Sequence, residues 1–133
     1  MDCIICKIIN KEIPSYVVYE DDLFIAFLDR YPTNPGHVLI SPKRHTDDVF
    51  GLTEEEAIAL MPIAQKIANK IKKEINPHGL NLVQNNGKAA GQVIFHYHLH
   101  IIPRYEGDGV IFKATPNDPS SEEFEQMLAR LKV

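Results

Sequence analysis

The strongest constraint on the fold comes from residues 96–101, which read His-Tyr-His-Leu-His-Ile and alternate between imidazole and apolar side chains. Successive side chains of a β-strand point to opposite faces of the sheet. We therefore predict a strand over 94–103, with three histidines about 6.6 Å apart on one face and the apolar residues between them facing a core. Histidine is neither a typical core residue nor a strong strand former. The pattern therefore favours a functional site on the histidine face over simple packing or a solvated surface.

The spacing of His96, His98 and His100 is compatible with two kinds of chemistry. Alternate histidines on a strand could bind zinc, as in a metal-dependent hydrolase. Alternatively, one neutral imidazole attacks phosphorus while its neighbours orient it and bind phosphoryl oxygens, because the unperturbed pKa of histidine is about 6.5. No Asp or Glu lies one or two positions from these histidines to act as a general base, which counts against the zinc hydrolase. A nucleotide-binding regulatory or scaffold protein with little catalysis is a third alternative.

The preceding loop, residues 85–92, has the composition of an anion-binding loop. Gly87 and Gly91 allow backbone N–H groups to approach a phosphate, and Asn85 and Gln92 add side-chain donors. It is not a Walker A loop, because the first glycine and the Ser/Thr of that motif are missing. Its position directly before the histidines favours phosphate chemistry.

The rest of the chain predicts strands grouped beside one long helix. An acidic turn at 20–22 separates two segments rich in β-branched and aromatic residues, which indicates a hairpin. Thr53 and Glu56 have the form of a capping box before apolar residues at helical spacing, and Pro62 predicts a kink or a late start of that helix. The predicted elements are a helical turn over 6–10, strands over 16–20, 23–28, 37–41 and 80–84, the long helix to residue 75, and a last helix over 122–132. This order predicts an α+β fold with a mainly antiparallel sheet.

Composition and charge limit the classes of function. A chain of 133 residues, 44% hydrophobic and 24% charged, is expected to form a single domain, with its core at about 3–109 and a tail with a short helix at 110–133. The net charge of -4 argues against binding to a nucleic-acid polymer, which needs a basic surface, but allows a single nucleotide. We find neither a signal peptide nor an apolar stretch of membrane-spanning length. We therefore expect a cytoplasmic protein with no membrane partner.

Cys3 and Cys6 are separated by two residues, the spacing of half a tetrahedral zinc site. In a reducing compartment this spacing favours a metal or redox site over a structural disulfide. A thioredoxin-like redox pair is disfavoured because no βαβ pattern surrounds it. Two small buried thiols with no ligand are the remaining alternative. The missing zinc ligands would come from elsewhere in the chain, with the histidine segment as the obvious source.

Four segments together resemble the histidine triad (HIT) nucleotide hydrolases and transferases. They are residues 96–102, which fit the family pattern of three histidines alternating with apolar residues, and residues 27–29, 36–45 and 85–92. The resemblance runs from Cys3 to about Gly109. It implies a five-stranded antiparallel sheet with two helices, and a two-fold homodimer with a continuous ten-stranded sheet.

The resemblance also implies an activity, a substrate class and residue roles. His98 would attack the α-phosphate of a purine nucleoside phosphoramidate or dinucleotide polyphosphate and form a covalent nucleotidyl-histidine, and His100 would contact the phosphate and assist the leaving group or the incoming water. Asp29 would accept hydrogen bonds from the ribose hydroxyls of an AMP- or GMP-type nucleotide. The implied nucleotide-binding residues are Ile5, Ile8, Phe27, Asp29, Arg30, Asn85, Gly91, Gln92, Val93, His98, Leu99 and His100. Val93 departs from the eukaryotic branch, which often has a serine there.

Bacterial members of the family imply the complete zinc site. In them the Cys-x-x-Cys pair, the histidine that ends residues 42–45 and the first triad histidine bind the metal. This implies a structural zinc site formed by Cys3, Cys6, His45 and His96, with only His98 and His100 left for chemistry. His37 is expected to be a strand-start residue, and we assign it no function.

Overall fold

A computed structural model describes residues 2–133 and shows an α+β fold, as predicted. The helices are α1 (Ile4–Ile9), α2 (Glu54–Glu74) and α3 (Ser121–Leu131), and the strands are β1 (Val17–Glu20), β2 (Phe24–Leu28), β3 (Val38–Pro42), β4 (Gly79–Val83) and β5 (Leu99–Arg104). The strands form one five-stranded sheet in the order β1-β2-β3-β5-β4, with antiparallel neighbours. Within residues 2–133, no helix combines the length and apolar character needed to cross a membrane.

The β1–β2 hairpin forms at the predicted acidic turn because one carboxylate organises it. Asp21 Oδ1 accepts hydrogen bonds from the backbone N–H groups of Leu23, at 2.8 Å, and Phe24, at 2.7 Å. Its Oδ2 accepts from the Tyr19 hydroxyl at 2.6 Å. An Asp side chain that bonds to the backbone two and three residues ahead closes a tight turn. The hairpin starts the sheet and leaves β1 at its edge.

The capping box predicted for the long helix is present. Thr53 Oγ1 accepts from the N–H of Glu56, and the Glu56 carboxylate accepts from the N–H of Thr53. Arg44 donates to the same carboxylate at 2.7 Å. Helix α2 begins at Glu54, so of the two alternatives predicted for Pro62, a kink or a late start, the late start is wrong. The capping box sets the start of the helix. Pro62, which lacks an N–H, lies inside the helix at a position exposed to solvent.

The two faces of the sheet bury different clusters. One face packs against α2 through residues such as Ile40, Leu99 and Ile101. The opposite face packs Ile25, Phe27 and Leu39 against α1. Because side chains alternate along a strand, every second residue of β2, β3 and β5 faces α1. The cross-strand pair Leu39 and His100 lies on that face, so the chemically interesting residues gather on the α1 side.

Candidate active site and metal centre

The histidine segment does not form the continuous strand over 94–103 that was predicted. Strand β5 begins only at Leu99, so His96 and His98 precede it. Pro42, at the end of β3, has no N–H with which to continue the ladder. Instead, Tyr97 bonds to Thr46 through its N–H and to the Ser41 hydroxyl through its carbonyl.

This departure separates the three histidines into two groups. His96 is fully buried and turns toward the two cysteines. The rings of His98 and His100 remain together, with centroids 4.9 Å apart. The predicted start of the strand at residue 94 is therefore wrong, whereas His96 still lies on the α1 side of the sheet, as His100 does. Because His96 is directed at the two cysteines, a zinc ion shared by all three histidines is disfavoured.

The four residues expected to bind zinc converge, although up to 93 positions separate them. His96 Nδ1 lies 3.4 Å from Cys3 Sγ, 3.5 Å from Cys6 Sγ and 3.1 Å from His45 Nδ1. Cys6 Sγ lies 3.3 Å from His45 Nδ1. Neighbouring ligands around a tetrahedral zinc ion are separated by about 3.3–3.8 Å, given its usual bond lengths. The cluster therefore has nearly the dimensions of a tetrahedral site and could hold a metal ion.

The hydrogen bonds of the two imidazoles test whether a cation fits between them. His96 Nε2 lies 2.8 Å from the carbonyl oxygen of Pro42, and His45 Nε2 lies 3.1 Å from Asp47 Oδ1. Because both partners are acceptors, each Nε2 carries a proton, and each Nδ1 is the nitrogen directed into the cluster, where its lone pair could bind a metal ion. Two lone pairs at 3.1 Å repel unless a proton or a cation lies between them. The donor set therefore fits a metal ion with two sulfur and two nitrogen ligands.

The protonation state of Cys6 depends on whether a cation is bound. Burial, followed by the hydrogen bond with Cys3, raises the pKa of Cys6 to about 11. Without a cation this thiol stays protonated at neutral pH, whereas a coordinating thiol is deprotonated outright. Cys3 is buried and also accepts from the N–H of Cys6 at 3.3 Å, which caps helix α1. A metal ion here would fasten α1 to the sheet.

His98 is held in one tautomer by the backbone. Its Nδ1 lies 2.7 Å from the carbonyl oxygen of His96. Since a carbonyl only accepts hydrogen bonds, Nδ1 carries the proton and Nε2 keeps its lone pair. The ring is half-buried. This is the state that a nucleophilic imidazole needs, because the attacking nitrogen must keep its lone pair.

His100 is held in the opposite tautomer by a residue to which the sequence assigned no role. The N–H of Thr33 donates to His37 Nδ1 at 3.1 Å, so His37 carries its proton on Nε2. That nitrogen lies 2.9 Å from His100 Nδ1, which must accept, and the proton of His100 is therefore on Nε2. The carboxylate of Asp29 lies 3.5 Å from His37 Nε2. His37 was missed because its proximity to His100 depends on the β3–β5 register, and its only sequence signal was its position beside β3 in the family motif.

Burial keeps both of these histidines neutral. Burial lowers the pKa of His100 to about 4, assisted by the neighbouring His98 and His37. Burial also lowers the pKa of His37, against the opposing effect of Asp29. At pH 7 His37 and His100 are therefore two neutral rings joined by a hydrogen bond. The N–H donor of His100 belongs to the ring next to His98.

The predicted phosphate loop folds as a short 3-10 turn, Lys88–Ala90, flanked by Gly87 and Gly91 at positive φ. The N–H groups of Gly91 and Gln92 donate within the loop, to the carbonyls of Lys88 and Gly87. The buried Gln92 side chain accepts from the N–H of Gly87 at 2.7 Å and donates to two nearby carbonyls. Gln92 thus braces the loop in this structure. Apart from the histidines, two predicted phosphate donors remain available. They are the side chain of Asn85, which lies beside Gly91, and the backbone N–H of Val93.

The other residues expected to bind the nucleotide occupy different depths. Ile5 and Phe27 are buried in the cluster beneath α1, and Ile8 packs at its margin. Leu99 faces α2, so only its backbone borders the histidine side. The other three lie at the surface or partly exposed: Asp29, Arg30 and Val93. The Asp29 carboxylate accepts from the N–H of Tyr31 through Oδ1, which leaves Oδ2 directed toward His37.

Comparison with known proteins identifies the family. The family model described as the HIT domain matches residues 10–107. Protein hit of Bacillus subtilis is 44% identical over 129 residues, covering 95% of this chain and 89% of its own length. An adenosine 5'-monophosphoramidase of Schizosaccharomyces pombe is 37% identical, with 92% and 90% covered. An adenylylsulfatase of Arabidopsis thaliana is 45% identical over 80% of this chain and 54% of its own length.

Solved structures agree with the observed fold. A HIT family protein from Bacillus anthracis has a TM-score of 0.90 at 44% identity, covering 98% of this chain and 94% of its own. A zinc-bound histidine triad family protein from Mycobacterium smegmatis has a TM-score of 0.78 at 36% identity, with 98% and 92% covered. The five-stranded antiparallel sheet with its helices, the grouped histidines and the matched relatives lead to one conclusion. The chain belongs to the HIT family.

Proposed function

We propose that the protein is a nucleotide hydrolase or transferase that cleaves at the α-phosphate of a purine nucleoside phosphoramidate, sulfate or dinucleotide polyphosphate. The observation that carries the proposal is the 2.7 Å contact between His98 Nδ1 and the His96 carbonyl, which leaves Nε2 free to attack. The names of the fission yeast and Arabidopsis relatives, a monophosphoramidase and an adenylylsulfatase, support the substrate class.

The proposed reaction has two displacements at phosphorus. In the first, His98 Nε2 forms a bond to the α-phosphorus as the bond to the leaving group breaks, giving a covalent nucleotidyl-histidine. In the second, water attacks this adduct, the P–N bond breaks and a nucleoside monophosphate is released. His100 donates a hydrogen bond from Nε2 to the phosphoryl or departing atom, where charge develops. His37 holds His100 in the tautomer that makes this donation possible.

The nucleotide would lie across the α1 side of the sheet. Asn85, the N–H of Val93 and His100 would bind the phosphate, and Asp29 would accept from the ribose. Ile8 and the apolar residues beneath α1 would border the base. Such apolar contacts discriminate weakly between similar ligands, so the proposal includes AMP and GMP derivatives.

Turnover of adenosine 5'-phosphoramidate by the full-length protein tests this mechanism. We expect His98→Ala to lower kcat roughly 1000-fold or more, and His78→Ala, at an exposed histidine outside the site, to leave it unchanged. Acid-free quenching followed by mass spectrometry should find a nucleotidyl group on the peptide that contains His98. Retention by His98→Ala of more than a tenth of the activity would reject the nucleophile. Tight nucleotide binding with neither turnover nor adduct would favour the scaffold alternative.

We also propose that Cys3, Cys6, His45 and His96 hold a structural zinc ion. The complementary hydrogen bonds at both Nε2 atoms support this, as does the zinc-bound mycobacterial relative. Four protein ligands complete a tetrahedral shell, so the metal would stabilise the fold and leave no open position for a reactive water.

A cytoplasmic homodimer is the assembly that we propose for this chain. Thiolate zinc ligands persist in a reducing compartment, which supports the location. Strand β4 lies at one edge of the sheet with Leu82 exposed. Pairing of two such edges would remove an unpaired strand edge from solvent and extend the sheet to ten strands.

A further inference from the structure

Helix α3 has an apolar stripe that the body of the chain leaves uncovered. Phe124, Met127, Leu128 and Leu131 recur at the i, i+3, i+4, i+7 spacing of one helix face, and each is between 45% and 66% exposed. All residues from 111 to 133 are exposed. An amphipathic helix of this kind is stabilised chiefly by burial of its apolar face, so α3 needs a surface on which to dock.

A groove on the other side of the molecule from the active site has matching properties. It has a volume of about 500 Å³ and lies between the C-terminal half of α2 and the strands β1 to β3. Its walls include the apolar residues Val18, Leu28, Ile67, Ile71 and Ile75. Val18, Leu28 and Ile75 are 49%, 38% and 41% exposed. Such contiguous exposed apolar surface typically marks an interaction site.

The charges of groove and helix are complementary. The charged residues that line the groove are Lys66, Lys70, Lys73 and Glu74, three cations and one anion. Residues 121–131 contain three glutamates and one arginine. On helical geometry, Glu123 and Glu125 lie roughly 100° to either side of Phe124, so they border the apolar stripe. A helix seated in the groove would place these carboxylates near the lysines.

We propose that α3 of one chain docks in this groove on a second copy of the chain. Arg104 donates to Asp108 and to the carbonyl of Val110, which fixes the root of the tail at the end of β5. The ten residues 111–120 can then span up to about 33 Å when extended. Within one chain no residue of α3 lines the groove, and the whole of α3 is exposed. Reciprocal exchange of α3 between two copies would give a closed two-fold interface. This inference does not depend on the proposed function.

Photo-cross-linking of the full-length protein tests the docking directly. Phe124 is replaced by the photoreactive p-benzoylphenylalanine, and a mixture of ¹⁵N-labelled and unlabelled chains is irradiated. The expected product is a covalent dimer whose cross-linked peptides combine labelled with unlabelled sequence and map to α2 or β1 at the groove. Cross-links to the groove of the same chain would overturn the second-copy occupant. Cross-links to other parts of either chain, or no cross-links to protein at all, would show that α3 does not dock in this groove.

Charge reversal separates specific docking from chance proximity. In the cross-linking background, Lys66→Glu with Lys70→Glu should lower the yield of covalent dimer about fivefold. Adding Glu123→Lys and Glu125→Lys should restore at least half of the yield, which a misfolded variant could not do. The matched control is Lys72→Glu with Lys88→Glu, the same change in net charge at lysines outside the groove. An equal loss in the control, or no rescue, would refute the assigned contact.

Discussion

His37 Nε2 lies 2.9 Å from Nδ1 of His100, across two neighbouring strands and 63 positions of sequence. Together with the N–H of Thr33 on the far side of the His37 ring, this contact determines which nitrogen of His100 carries a proton. A backbone carbonyl holds His98 in the opposite tautomer, with its proton on Nδ1. The site therefore presents a lone pair and an N–H donor on neighbouring rings, and His37 and His100 are uncharged at neutral pH.

His37→Phe should lower kcat for the nucleotide substrate by about 10–100-fold, because it removes the donor to His100 and frees that ring to change tautomer. His37→Gln should retain more activity than His37→Phe, since an amide N–H can replace the lost donor. Steady-state kinetics over pH 5–9 provide the measurement. If the two variants are equally active, or both match the unsubstituted protein, His37 does not position His100.

The protein should contain about one zinc ion per chain, and its removal should act on stability. We expect a strong chelator to lower Tm by about 5–10 °C, because a ligand that binds only the folded state stabilises it. Cys6→Ala should have the lower Tm from the start and show no further response to the chelator. Metal analysis and thermal unfolding measure both effects. Abolished turnover with an unchanged Tm would instead indicate a catalytic metal.

Tyr97→Phe should leave the free energy of unfolding unchanged or raise it by about 1 kcal/mol. Among residues 2–133, the Tyr97 hydroxyl is a buried side-chain group without a hydrogen-bond partner, and a buried unsatisfied group destabilises the folded state. Burial also raises the pKa of Tyr97 to about 12. Urea unfolding gives the comparison, with Tyr19→Phe as the matched control. That control loses a 2.6 Å bond to Asp21 and should be destabilised by about 0.5–1.5 kcal/mol; a larger loss for Tyr97→Phe would contradict the prediction.

The free energy of unfolding should fall as the pH drops from about 6.5 to 4. The folded-state pKa of His100 is lowered to about 4, so the unfolded chain takes up a proton at a higher pH than the folded one. More protons bound to the unfolded state mean that stability rises with pH in this window, and conversely falls on acidification. From His100 alone we expect a loss of about 2 kcal/mol between pH 7 and pH 5. Urea midpoints at the two pH values should differ less in His100→Gln, and an equal difference would show that His100 does not contribute.

Much of the fold follows from local patterns in the chain. The β1–β2 hairpin follows from an acidic turn between two strand-forming segments, and α2 begins where Thr53 and Glu56 form a capping box. The alternating segment also led correctly to burial of Tyr97, Leu99 and Ile101 on the α2 side. These features depend on residues within a few positions of each other, so local backbone and side-chain geometry is enough to predict them.

Only the tertiary structure decided which histidine contacts the cysteines, which contacts a carbonyl and which contacts another histidine. The alternation placed His96, His98 and His100 on one side of the sheet, but the β3–β5 pairing ends at Ile40 and Leu99, and His96 contacts Cys3 and Cys6. The register between β3 and β5 brings His37 against His100. Each of these contacts joins residues that are remote in sequence, so its existence depends on strand pairing and on where that pairing ends. The residue types determined what chemistry was available, and the packing of the sheet determined which ring would meet a metal, a carbonyl or another ring.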